Sequence, residues 1–209
     1  MYFEYDAKET DYLKARDSIL GQAIDLIGPL QRKVNPNIFE ALVDTIVAQQ
    51  ISSKAAFSVF SRLKVFLTDI TPQNILEANA DELRSCGLSA RKVEYIKNAA
   101  SAITEGIIDL NTLYNKSDEE IIKELVSLRG VGLWTAEMLL IFSLNRKDVL
   151  SYGDLAIRKG IKTLYKLESL SPADFEIYRV KYSPYGSVAS LYLWEVGDEK
   201  NGYTSRTYC

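Results

Sequence analysis

Residues 125–158 read LVSLRGVGLWTAEMLLIFSLNRKDVLSYGDLAIR. The stretch holds the apolar end of one helix, a tight Gly130-Val131-Gly132 turn, a second helix over 133–144 and an isolated acid, Asp154. A Gly-x-Gly turn that opens a helix exposes backbone N–H groups with no intrahelical partner. Those donors, reinforced by the helix dipole, suit a phosphate. Gly130, Val131 and Gly132 therefore read as a phosphate anchor, and Asp154 as a carboxylate presented shortly afterwards. Each has a plainer reading beside it. Glycine is common where helices end and turn, and an acid is a favoured N-cap for a helix from Leu155.

Outward from this stretch the chain reads as helix after helix. Asn35-Pro36-Asn37 is a start signal, after which Ile38, Leu42, Val43 and Ile46 share one face. Ser52-Ser53 begins a helix with Ala56, Phe60, Leu63 and Leu67 in register. Thr71-Pro72, Asn79-Ala80-Asp81-Glu82 and Ser89 are further starts, the last followed by Val93, Ile96, Ala99, Ala100 and Ile103. Ser117-Asp118-Glu119-Glu120 is a capping box, and Ser171-Pro172 opens another helix. A last helix is expected over 187–196. The best candidate for a strand is residues 1–6. The Tyr-rich tail, with Tyr203, Arg206 and Tyr208, reads as a frayed end.

Composition narrows the chemistry. At 209 residues and 47% hydrophobic content, the chain is long and apolar enough for one domain or two small lobes. No apolar run reaches membrane-spanning length, and the start MYFEYDAKETDY lacks a basic-then-apolar signal, so an intracellular protein without membrane association is expected. Two cysteines, Cys86 and Cys209, are too few for a disulfide framework or a four-Cys metal site. The sequence contains no histidine, which removes Ser-His, Cys-His and His-metal chemistry. Carboxylates, Lys, Tyr and Ser remain. The net charge of −3 opposes a broad basic footprint for nucleic acid. Local basic pairs at Arg91-Lys92, Arg146-Lys147 and Arg158-Lys159, together with hairpin amides, keep anion binding within reach. Modest affinity with a shallow salt dependence is expected.

The pattern Leu125-x-x-Leu128-x-Gly130-Val131-Gly132-x-Trp134-Thr135-Ala136, with an acid twenty residues beyond Trp134 (154 − 134), resembles the helix-hairpin-helix DNA glycosylases. It is most similar to their DNA-3-methyladenine glycosylase II branch. Ile46-Val47-Ala48-Gln49-Gln50-Ile51-Ser52, the segment 83–92 and Leu191-Tyr192-Leu193-Trp194 add to the likeness, which runs over roughly residues 10–198. The resemblance implies an all-α, two-lobed fold with a cleft between the lobes. One lobe would span about 36–132, and the other 1–35 with 133–209. The hairpin motif would lie at about 117–144. It also implies an N-terminal helix packed with the C-terminal lobe, no extra N-terminal β-domain, and a monomer acting on double-stranded DNA that contains damaged bases.

The activity so implied is monofunctional hydrolysis of the N-glycosidic bond of alkylated purines, as in base-excision repair. Asp154 would be the catalytic carboxylate. Breaking a base–sugar bond builds positive charge on the sugar, and a facing carboxylate stabilises it and orients water. Trp134 stands where bifunctional relatives carry a Lys whose amine attacks the sugar. Trp134, Met138 and Trp194 would line the base pocket, where an indole face attracts a cationic purine; in isolation Trp134 is equally a core residue. Gln50 and Ile51 would form the wedge that fills the stack after base extrusion, although these residues also read as a helix end. The backbone carbonyls of Val126, Leu128 and Val131 would hold a monovalent cation. Arg129 replaces a Pro often found there and would add a phosphate contact. No cofactor is expected for catalysis, and the sequence lacks ligands for the iron–sulfur cluster of some relatives. The alternatives are a glycosylase for a deaminated or oxidised base and a non-catalytic DNA-binding or damage-sensing module.

Overall fold

Helix starts in this chain carry side chains that satisfy otherwise orphaned N–H groups. In the computed structural model, which describes residues 1–198, Asp6 and Glu9 form a capping box at α1 (Ala7–Arg16), and Asp17 caps α2 (Ser18–Ile27). Asn37 caps α3 (Ile38–Ala48), Ser52 caps α4 (Ser53–Leu67) and Thr71 caps the short α5 (Pro72–Glu77). An Asn79–Glu82 box opens α6 (Ala80–Ser85), and Ser89 caps α7 (Ala90–Thr104). A 3-10 helix at Leu110–Asn115 precedes α8 (Asp118–Val126), which starts on the Ser117–Glu120 box. α9 (Leu133–Phe142) begins at Gly132 without a side-chain cap. Asp154 caps α10 (Leu155–Tyr165), a Ser171–Asp174 box opens α11 (Pro172–Tyr182), and α12 (Gly186–Gly197) follows.

The all-α reading holds for the described residues. Residues 1–6 make one isolated bridge, Tyr2 with Lys33, rather than a strand. The N-terminal region contains two helices, because Asp17 is extended (φ −148°, ψ 104°) and its carboxylate restarts the chain as α2. Among the described residues no helix is long and apolar enough to cross a membrane. The tail with Tyr203, Arg206 and Tyr208 lies outside the described residues.

The chain divides into two units, one built from residues 1–34 with those from Asn145 onward, the other from the continuous segment Asn35–Leu144. The second break thus falls at 144–145 instead of the expected 132–133. The reason is the apolar character of α9. Every residue from Thr135 to Ile141 is buried, and α9 packs on α3 and α8. A helix that buries its two polar residues, Thr135 and Glu137, along with its apolar ones belongs inside a core.

The core of the discontinuous unit is the crossing of α10 and α12. α12 buries Val188, Ala189, Leu191, Tyr192, Leu193 and Val196, and α10 contributes Ile157, Ile161 and Leu164. Gly160 is required at the crossing, since a Cβ there would sit 2.2 Å from the carbonyl oxygen of Leu193. The continuous unit centres on α3, whose Leu42, Val43, Ile46 and Val47 are fully buried and which packs against α4, α7 and α9.

Candidate active site

In the discontinuous unit, Asp154 is extended (φ −82°, ψ 115°) at the start of α10 and only 8% exposed. Its Oδ1 accepts from the N–H of Ala156 at 2.9 Å and of Ile157 at 3.0 Å. The Trp194 indole Nε1 donates to the same oxygen at 3.2 Å. The acid is therefore a helix cap and something more: three donors converge on one oxygen and fix the carboxylate's orientation. The α10–α12 crossing makes this possible, because Trp194 follows directly on Leu193, the residue that approaches Gly160. Trp194 was expected as an aromatic wall; the structure adds an N–H edge directed at Asp154.

In the continuous unit, the link between α8 and α9 has the expected tight turn. Gly130 adopts φ +86°, which favours glycine, and a Cβ there would fall 2.1 Å from the ring of Tyr95. The Val131 N–H donates to Leu128 O at 3.1 Å and closes the turn. This corrects one part of the expected anchor: the Val131 amide is already engaged and its side chain is buried. Gly132 is exposed, with open space where a Cβ would project. Because Gly132 gives no side-chain cap, its own amide and that of Leu133 suit an outside acceptor. Arg129, expected to reach a phosphate, pairs instead with Glu94.

Trp134 is half-buried on α9. Met138, one turn on, is 6% exposed and lies in the core, so it does not present an open pocket wall here. The cause is again that α9 is buried on every side from Thr135 to Ile141. The carbonyls of Val126, Leu128 and Val131, expected to hold a monovalent cation, belong to the last residue of α8 and the turn after it, where the helix dipole is negative. Leu128 O accepts one N–H and keeps a second lone pair. Carbonyl oxygen is a donor of the hard type that hard cations take. Among the described residues no group of His, Cys, Asp and Glu is arranged to hold a metal, and Cys86 is buried, which pushes its thiol pKa up.

At the end of α3, Gln50 takes φ +58° and is exposed, and Ile51 is 41% exposed. Gln49 turns the other way. Its Nε2 donates to Gly130 O at 3.0 Å and to Thr135 Oγ1 at 3.3 Å. Lys92 Nζ donates to Val47 O at 2.7 Å and Gln49 O at 2.8 Å, and burial lowers its pKa. Neither the Gln49 bridge nor the Lys92 cap was foreseen, and a single sequence offers no signal for a lysine aimed at distant carbonyls.

Residues 43–181 match the family model described as HhH-GPD superfamily base excision DNA repair protein. The chain belongs to this superfamily. It is 34% identical over 195 residues to DNA-3-methyladenine glycosylase 1 of Schizosaccharomyces pombe, covering 88% of this chain and 84% of that protein. A crystal structure of a DNA-3-methyladenine glycosidase from Bacillus halodurans shares the fold with a TM-score of 0.84. The two are 35% identical over 100% of this chain and 95% of the other. A 3-methyladenine DNA glycosylase from Schizosaccharomyces pombe, in complex with abasic DNA, matches with a TM-score of 0.81. Its identity is 32%, over 90% of this chain and 96% of that one.

Proposed function

We propose that this chain is a monofunctional DNA glycosylase that hydrolyses the N-glycosidic bond of alkylated purines in double-stranded DNA. The observation that carries the reading is the Asp154 carboxylate, fixed by two backbone amides and the Trp194 indole. The names of the similar glycosylases supply the substrate class. An intracellular place, with access to DNA, goes with the proposal.

The amides of Gly132 and Leu133 bind a DNA phosphate, and Gln50 and Ile51 fill the stack as the damaged base leaves it. Trp134 and Trp194 offer indole faces to a cationic base, with Met138 as apolar support. Val126, Leu128 and Val131 would hold a monovalent cation, which supplies positive charge toward the DNA backbone. The electrons of the base–sugar bond depart with the base, which leaves neutral because alkylation had made it cationic. Positive charge develops on the sugar and Asp154 stabilises it. Water then bonds to the anomeric carbon and loses its proton to Asp154 or to solvent. Trp134 has no amine with which to form an imine, so no strand cleavage accompanies the step.

The test is release of free base from methylated DNA. Wild type releases alkylated purine, and Asp154→Asn, which keeps a capping oxygen, nearly abolishes release while binding abasic DNA. Normal turnover by a folded Asn variant removes Asp154 from the mechanism. Efficient borohydride trapping of wild type on DNA overturns the monofunctional assignment.

A further inference from the structure

The wedge loop and the hairpin come from segments some eighty residues apart, yet one side chain joins them. Gln49, the residue before the exposed Gln50, donates to Gly130 O, the carbonyl at the centre of the hairpin turn. The same Nε2 reaches Thr135 Oγ1 in the first turn of α9. On its other side the loop is held by Lys92 of α7, whose ammonium caps the carbonyls of Val47 and Gln49. α7 also touches the hairpin directly: the Tyr95 ring packs where Gly130 lacks a side chain, and Glu94 pairs with Arg129. Gln50 sits in the left-handed region, an unfavourable conformation for a residue with a side chain, which surrounding contacts must hold in place.

We propose that Gln49 and Lys92 are positioning residues that lock the wedge loop to the phosphate-binding hairpin, so that gripping the backbone and filling the stack occur as one event. The inference rests on the wedge assignment of Gln50 and Ile51 under the proposed function. Its chemistry is that of a rigid bracket. A loop free to swing loses the placement needed to insert beside an extruded base, whereas a loop pinned at Gly130 moves with the captured phosphate. The two residues act through the loop they hold rather than on base or sugar.

The test compares 7-methylguanine paired with cytosine and the same lesion opposite an abasic gap, under single turnover. Only the paired lesion requires the stack to be opened against a partner. Gln49→Glu, nearly isosteric but without the Nε2 donor, and Lys92→Met are each expected to slow excision of the paired lesion about tenfold and of the unpaired one less than about twofold. Lys92→Arg, which keeps cationic donors, restores part of the loss. In parallel, 2-aminopurine next to the lesion brightens on binding wild type and brightens less with either variant, a readout independent of bond cleavage. Thermal unfolding identifies a variant that has lost its fold, and Gln49→Glu then stands in for Lys92→Met. Equal losses on both substrates, or unchanged 2-aminopurine signals, overturn the proposal. If Gln50→Ala with Ile51→Ala leaves paired excision intact, the wedge itself is lost and the bracket with it. If wild type brightens 2-aminopurine but releases no base, the glycosylase reading fails while the bracket survives.

Discussion

At the scale of single residues, the Asp154 carboxylate is held by two amides of α10 and by the Trp194 indole from α12. Its place at a helix start was readable from Gly153-Asp154-Leu155 and the apolar spacing after it. The Trp194 donor was not, because forty residues (194 − 154) and a helix crossing separate the two. That hydrogen bond is separable from the indole's bulk. Trp194→Phe keeps a ring and removes the N–H, and we expect kcat to fall about tenfold with abasic-DNA affinity within about twofold. Single-turnover excision beside equilibrium binding checks this, and an unchanged kcat makes the bond idle. Met138 shows the opposite limit. Periodicity placed it on the face of Trp134, but a helix with no polar side has no readable orientation, and Met138 lies in the core.

At the scale of elements, starts were more legible than ends or contacts. Ser, Thr, Asn and Asp caps marked the expected helix starts from α3 to α8 and again at α10 and α11, because each solves a local problem of unsatisfied amides. How α7 serves its neighbours is a tertiary matter. Lys97 donates to the carbonyls of Leu76 and Ala78 at the end of α5, the same device that Lys92 applies to α3. The α10–α12 crossing depends on a missing side chain. Gly160→Ala would overpack it by about 1–3 kcal/mol and lower the Tm by roughly 3–10 °C, with excision reduced because Trp194 is carried away from Asp154. A wild-type Tm means the backbones separate without cost. Gly132→Asp tests the hairpin. Open space and φ −97° at that position accommodate a side chain, so thermal stability stays near wild type while abasic-DNA affinity drops about tenfold through like-charge contact with phosphate. Unchanged binding would place the anchor elsewhere.

At the scale of the whole molecule, two carboxylates of the discontinuous unit, Glu9 and Asp17, tie its stability to pH. Burial opposes ionisation of Glu9, but the N–H groups of Asp6 and Glu9 and the Lys147 ammonium outweigh it and hold its pKa at about 2. Burial of Asp17 is likewise outweighed, by Lys181, Tyr165 and the Leu20 N–H, so its pKa is lowered too. A carboxyl whose folded pKa lies below its unfolded value adds stability above the unfolded value and loses it as pH falls through the folded one. For Glu9 the window runs from about pH 4.5 down to about pH 2. Glu9→Gln should lower stability at neutral pH and flatten the acid limb of a stability–pH curve in that window; an unchanged limb refutes the assignment. The division between units was only partly readable, since the chain's exit and return near residues 34 and 145 reflect which core α9 joins rather than any local breaker. That path also sets an order of synthesis. The segment bearing the hairpin and its bracketed loop is complete once Leu144 has been made, whereas Asp154 and its indole donor cannot meet until translation has passed Trp194. Under the proposed function, a nascent chain would thus carry its phosphate contacts before its catalytic carboxylate is fixed in place.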